Sequence, residues 1–159
     1  MLYLRQYAPP DCHACLHLFY DTVRQVNAND YNPRQIAAWA SPDIDANDWG
    51  NRFHGRHAYV ALANAEIVGF ADMTSTGYLD RLFVSAARQR QGIATALVIQ
   101  LLSVASRAAM EAVTADVSIT AVPFFTRMGF SDPVEQSVEC RGAWFTNYRM
   151  TYRSPGQLS

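Results

Sequence analysis

Gln89-Arg90-Gln91-Gly92-Ile93-Ala94-Thr95-Ala96-Leu97 stands between a run with strand character, Tyr78 to Val84, and a run with helix character that leaves from it. That order builds an anion site. The first backbone N–H groups of a helix lack intrahelical partners and lie at the positive end of its dipole, so a diphosphate can accept several of them at once. Gly92 and Ala94 are small where such a ligand must come close, and Gln91, Ile93 and Thr95 complete the candidate phosphate loop. The long Gln89 and Arg90 offer side-chain donors.

Gln89-x-x-Gly92-x-Ala94 resembles the acetyl-CoA signature Q/R-x-x-G-x-G/A of the GCN5-related N-acetyltransferase (GNAT) superfamily, found between its fourth strand and third helix. A second segment, Ala121-Val122-Pro123-Phe124-Phe125-Thr126-Arg127-Met128-Gly129-Phe130, resembles the later A-x-x-F-Y-x-x-x-G-F motif of the same family. There a helix flanks the pantetheine arm and Gly-Phe begins the next strand. Val138 to Asn147 is similar to the C-terminal segment of the YafP-like bacterial branch, as are Ser118 to Ala121 and Tyr78 to Val84. The resemblance covers nearly the whole chain. It implies an α/β (α+β) fold, with a mixed, mostly antiparallel central sheet of six to seven strands flanked by about four helices. It also implies one acetyltransferase domain over residues 1–159.

Composition agrees. With 159 residues, 50% hydrophobic and 17% charged, the chain is long enough for one well-buried core and short for two ordinary domains. No apolar run approaches the roughly 20 residues of a membrane span, and the N-terminus lacks the apolar middle of a signal peptide. A cytoplasmic protein with no membrane partner is expected. A net charge of −1, from 13 Lys plus Arg against 14 Asp plus Glu, offers no general attraction to nucleic acid. Three cysteines suit reduced thiols better than a disulfide framework.

The periodicity predicts a strand over Leu2 to Tyr7, an amphipathic helix over Asp11 to Asn27, a short helix over Pro33 to Ala40 and another beginning near Asp48. His57 to Ala63 and Glu66 to Met73 read as a hairpin about Asn64-Ala65, followed after Gly77 by Tyr78 to Val84. The helix from Gly92 to Met110 carries a wide apolar face. Ala112 to Val117 reads as a strand, Ala121 to Met128 as a helix, and Val138 to Met150 as the segment that closes the sheet. A frayed tail is expected over residues 153–159.

The resemblance implies acetyl-CoA as co-substrate, passing its acetyl group directly to a primary amine or arylamine of a small molecule or peptide, without metal or covalent enzyme intermediate. In the family the strand before the phosphate loop, here Leu82-Phe83-Val84, is splayed from its neighbour. Backbone groups of Phe83 and Val84 are then expected to face the pantetheine and acetyl carbonyl, with Phe124, Phe125 and Arg127 beside the cofactor from the second motif. Phe125 occupies the position where many members carry a Tyr that protonates the departing thiolate. It has no proton to give, and general acid catalysis is typically worth about 10²- to 10⁴-fold. Tyr78 and Tyr148 are the available substitutes.

For the base, Asp80 is a carboxylate inside an apolar strand, with Tyr78 and Leu82 expected on its face. Tyr78 matches, by spacing to the loop, the catalytic Glu of histone-type members. Asp80 is either a base or amine-binding group, or a structural partner for an arginine such as Arg81. Glu139, in the branch-specific segment, is the other acidic candidate.

Other constellations read as bland. Cys12-His13-Ala14-Cys15 lacks the second Cys/His cluster that a metal site needs. Asp43, Asp45 and Asp48 form a solvated loop in which Asp48 is the expected helix cap, and His54 and His57 with Arg52 and Arg56 form a solvated face. The acceptor amine is not legible. Alternatives from other classes are a noncatalytic acetyl-CoA or CoA-binding module and a toxin-like aminoacyl-tRNA acetyltransferase. A homodimer is compatible with either outcome.

Overall fold

The computed structural model describes residues 1–154. Seven strands form one sheet: β1 (Leu2–Gln6), β2 (His57–Ala63), β3 (Glu66–Met73), β4 (Tyr78–Val84), β5 (Ala112–Ser118), β6 (Ser131–Cys140) and β7 (Ala143–Arg153). Five α-helices accompany it: α1 (Cys12–Gln25), α2 (Pro33–Trp39), α3 (Ala46–Asn51), α4 (Ile93–Arg107) and α5 (Val122–Arg127). Strand order is β1-β2-β3-β4-β5-β7-β6. The first four strands form an antiparallel meander, whose β2–β3 turn places Asn64 and Ala65 at φ 53° and 64°, the twist that a two-residue hairpin loop requires.

The one parallel junction decides the function of the fold. β4 and β5 pair only at Tyr78↔Thr114 and Leu79↔Ala115, so from Asp80 onward the two strands part. Below the sheet, the apolar stripe of α4, with Leu97, Val98 and Leu101 wholly buried, packs with Phe125 and Phe130 into one core. Gly69 is what lets α4 lie so close, because a Cβ there would stand 2.9 Å from Ile93 Cγ2. On the opposite face α1, α2 and α3 cover an aromatic core that includes Phe19, Trp49, Phe53, Phe70 and Phe145.

Strict alternation fails within β4 at one place. Asp72 pairs with Arg81 and Met73 with Leu79, leaving Asp80 as the extra residue of a β-bulge. Leu82 therefore packs toward α4, while Asp80 joins arginines on the aromatic side. The shared face expected for Asp80 and Leu82 is corrected by that bulge.

The seven strands and five short and long helices agree with the expected fold. The closing segment Val138 to Met150 forms a hairpin, in which Arg141 and Gly142, at φ 46° and 82°, make the tight turn between β6 and β7. One further expectation changes. Fraying does not begin at residue 153, since Arg153 pairs with Ala112 in the sheet; residues 155–159 lie outside the described residues.

Candidate active site

The parting of β4 from β5 opens a cleft of about 890 Å³. Leu82, Phe83 and Val84 line it from β4; Gln89, Arg90, Gly92, Ile93, Ala94 and Thr95 from the loop and the start of α4; and Phe124, Phe125 and Arg127 from α5. Gln91 is exposed and does not line it. Gly92 is the N-cap of α4 at φ 81°, a left-handed conformation that L side chains resist. The first α-helical acceptor used is Gly92 O, by the Ala96 N–H at 3.0 Å. The amides of Ile93, Ala94 and Thr95 consequently lie free at the helix start.

Gln89 behaves differently from the expected phosphate donor. Its Nε2 donates to the carbonyls of Val84, at 2.7 Å, and Ser85, at 3.2 Å, so the amide's protons secure the loop to the end of β4. Thr22 Oγ1, reaching from α1, donates to the same Val84 carbonyl at 3.1 Å. The free cations of the cleft are Arg88, Arg90 and Arg127, none of which makes an ion pair among the described residues. Arg88 is a lining residue that sequence reasoning missed, although its place beside the motif was a usable signal.

Phe125 is 4% exposed, edge-on to Phe124 and Phe130 with ring centroids at 5.3 and 5.0 Å. It lines the cleft from the core side and presents no hydroxyl. Tyr148 lies elsewhere, donating to Glu135 at 3.2 Å. Tyr78 lies outside the cleft lining and donates to Asp116 Oδ2 at 3.0 Å. Burial, and then the Asp116 charge, raise the Tyr78 phenol above its ordinary value, which keeps it neutral and a weak acid. Glu139 is exposed on β6 opposite Trp144 and does not line the cleft.

Asp80 does line the cleft. Its Oδ2 accepts from Arg52 and Arg56, each at 2.6 Å, rather than from Arg81. These arginines are thus more than a solvated face. Arg81 is buried against the wholly buried Asp72, with Nε at 3.1 Å from Oδ2, and its guanidinium lies 4.6 and 4.1 Å from the ring centres of Trp49 and Phe53. Burial acts to raise the Asp80 carboxyl, but the Arg56 and Arg52 guanidiniums outweigh it and hold the group below the ordinary carboxylate range. So held, Asp80 stays ionised and is a poor proton acceptor, with Oδ1 left for a ligand.

Asp116 on β5 also lines the cleft, unforeseen from the sequence. The polar alternation Thr114, Asp116, Ser118 was the available signal. Arg149 grips it through Nε at 2.7 Å and NH2 at 3.0 Å; burial raises its carboxyl, while Arg149 and Tyr78 bring it below the ordinary value. Asp45, not Asp48, caps α3, its Oδ1 accepting the Asp48 N–H at 3.0 Å. Cys15 is fully buried, its thiol pushed up by burial to about 12.

Comparison with known proteins bears on this cleft. The Acetyltransferase (GNAT) domain family matches residues 27–152. YafP of Escherichia coli K12, an uncharacterised N-acetyltransferase, is 40% identical over 150 residues, covering 94% of this chain and 95% of the other. A GCN5-related N-acetyltransferase from Rhodopseudomonas palustris superposes with TM-score 0.92 at 28% identity, covering 96% of this chain and 95% of that one. The fold is shared further with the PaiA N-acetyltransferase of Thermoplasma acidophilum in complex with coenzyme A, at TM-score 0.78 and 13% identity over 97% and 99% of the two chains. It is shared also with yncA of Salmonella typhimurium with its cofactor acetyl-CoA, at TM-score 0.74 and 16% identity over 99% and 96%.

Proposed function

The chain belongs to the GNAT acetyltransferase family, and from that membership we propose that residues 1–159 act as one acetyl-CoA-dependent N-acetyltransferase with a primary amine or arylamine as direct acceptor. The observation that carries this reading is the cleft itself. A splayed strand pair, a helix start with unpartnered amides and three unpaired arginines converge on one space. Coenzyme A offers that space a diphosphate and a 3′-phosphate for the amides and cations, and a slender pantetheine arm for the gap beside Phe83 and Val84. The fold relatives that hold coenzyme A or acetyl-CoA support the same reading.

In the proposed reaction the lone pair of a neutral amine forms a bond to the acetyl carbonyl carbon, the C–S bond breaks, and coenzyme A leaves as thiolate. The amine proton passes to solvent in the cleft, and the thiolate is protonated from the same source because Phe125 cannot supply it. The free edge of β4 presents backbone donors toward the carbonyl oxygen as negative charge gathers there. Asp80 orients the incoming amine through Oδ1 instead of serving as its base, in keeping with its two arginine partners. Titration with acetyl-CoA in a calorimeter, followed by thiol release with a panel of amines, tests the proposal. Binding and amine-dependent release are expected; absence of acetyl-CoA binding would end it.

A further inference from the structure

Among the described residues, one carboxylate that lines the cleft forms no ion pair. Asp80 is matched by Arg52 and Arg56, and Asp116 by Arg149. Asp30 lines the same cleft with no cation, its Oδ2 accepting only the Thr120 hydroxyl at 2.7 Å. Three positions earlier, Asn27 is 7% exposed, lines the cleft and finds no hydrogen-bond partner for its carboxamide among the described residues. Its amide atoms are still reached by solvent, so a ligand group entering the cleft can replace that water with a direct hydrogen bond.

The two residues belong to one short 3-10 turn, Asn27–Asn29, closed by the Asp30 N–H to Asn27 O at 3.0 Å. This turn is tied across the cleft to the segment after β5. Asp30 bonds Thr120, and the adjacent Tyr31 hydroxyl accepts the Ile119 N–H at 3.0 Å. The Asp30 carboxylate is therefore set in place before any ligand arrives, which lowers the ordering cost of recognition.

We propose that Asn27 and Asp30 are the recognition subsite for a second, non-reacting cationic group of the acceptor, so that the preferred substrates are small diamines acetylated at the amine remote from Asp30. This step rests on the acetyltransferase reading of the cleft. When the cosubstrate's phosphates neutralise the three arginines, Asp30 remains as unmatched charge, favouring a cation and repelling acidic acceptors. An ammonium donates to the Asp30 carboxylate and to the Asn27 carbonyl oxygen, and the half-buried Trp39 gives the methylene chain an apolar wall.

Initial rates with α,ω-diamines and with monoamines of the same chain length, for the native protein and for Asp30→Asn and Asn27→Ala, test it. The diamines are expected to exceed the monoamines in kcat/KM by about tenfold, through KM, and Asp30→Asn to abolish that preference by lowering kcat/KM for diamines about tenfold more than for monoamines. Asp30 is exposed, so its variant keeps the fold. Titrating 1,4-diaminobutane into the CoA-saturated protein gives a second readout, expected to weaken in both variants. Equal use of diamines and monoamines, or equal losses for both in Asp30→Asn, overturns the subsite alone. Failure of acetyl-CoA to bind overturns the functional reading and the subsite with it.

Discussion

Asp72 and Asp80, carboxylates on adjoining strands, share one guanidinium nitrogen: Arg56 NH1 lies 3.2 Å from Asp72 Oδ2 and 2.6 Å from Asp80 Oδ2. Arg81 completes Asp72 from within and Arg52 completes Asp80 from the surface. The bulge that frees Asp80 from the ladder is thereby fixed by charge, and the strand edge enters the cleft in one conformation.

Asp80→Asn is expected to act in two ways. Loss of the charge leaves Arg52 and Arg56 underpaired, so the melting temperature falls by a few degrees, consistent with about 1 kcal/mol in a protein of this size. KM for the amine rises while acetyl-CoA affinity, measured by calorimetry, is unchanged. Unaltered amine kinetics in the folded variant would reduce Asp80 to a structural partner.

Acid stability follows from the same pairs. Asp11, Asp80 and Asp116 all have carboxyls held below the ordinary value of 3.8. A group depressed in the folded state contributes stability that is complete above its unfolded value and lost as pH falls through its folded one. Denaturant midpoints are therefore expected to be flat in this contribution above pH 5 and to drop below the 3.8 range, with a shallower drop in Asp116→Asn. A steeper acid dependence in that variant would contradict the assignment.

Gly92→Val tests the loop by backbone strain. A Cβ at Gly92 meets nothing within 4 Å, so no clash is introduced. The φ of 81° becomes unfavourable by roughly 1–2 kcal/mol, and relief comes from rotating the amides away from the anion. Acetyl-CoA affinity is expected to fall by about tenfold or more with the fold retained. Unchanged affinity by calorimetry would remove the loop from the site.

Gln89 separates holding the loop from touching the ligand. Gln89→Ala loses both carbonyl contacts and is expected to weaken acetyl-CoA binding severalfold. Gln89→Glu turns a carboxylate on the Val84 and Ser85 carbonyls and should be worse than alanine. If glutamate and alanine weaken binding alike, the side chain does not act through those carbonyls.

Phe125→Tyr asks whether the ring faces the leaving group. Packed between Phe124 and Phe130 yet lining the cleft, the ring can accept a hydroxyl only on its cleft side. Turnover with a good amine is expected to hold or rise, with melting temperature nearly unchanged. A marked destabilisation would show that the para position faces the core.

The parts legible in the sequence are those whose signal is local. The loop from Gln89 to Thr95 combines turn chemistry with a helix start, and the hairpin at Asn64-Ala65 is bracketed by strand runs. Asp80 was conspicuous as a carboxylate among apolar residues, but its orientation was not, because a bulge depends on the register with β3 and leaves no mark in β4 alone. Arg52 and Arg56 looked like surface charges, and Arg149 carried no signal; they reach their carboxylates across 28, 24 and 33 residues of chain. Glu139 was misplaced because the strand order, which puts β6 at the sheet's outer edge beyond β7, depends on long-range pairing that the segment itself does not show.

The parting of β4 from β5 also has a mechanical meaning. One plate is β1 to β4 and the other is β5, β7 and β6, and the ladder riveting them is only two residue pairs long. Shear between the plates is resisted by side-chain packing of α4, by the Tyr78–Asp116 hydrogen bond and by the ties from the Asp30–Tyr31 corner to Ile119 and Thr120. A molecule lodged along the gap lies on the softest line of the sheet, so occupancy would brace the two plates against each other, and amide exchange along the β4 edge would slow in proportion to how firmly it is seated.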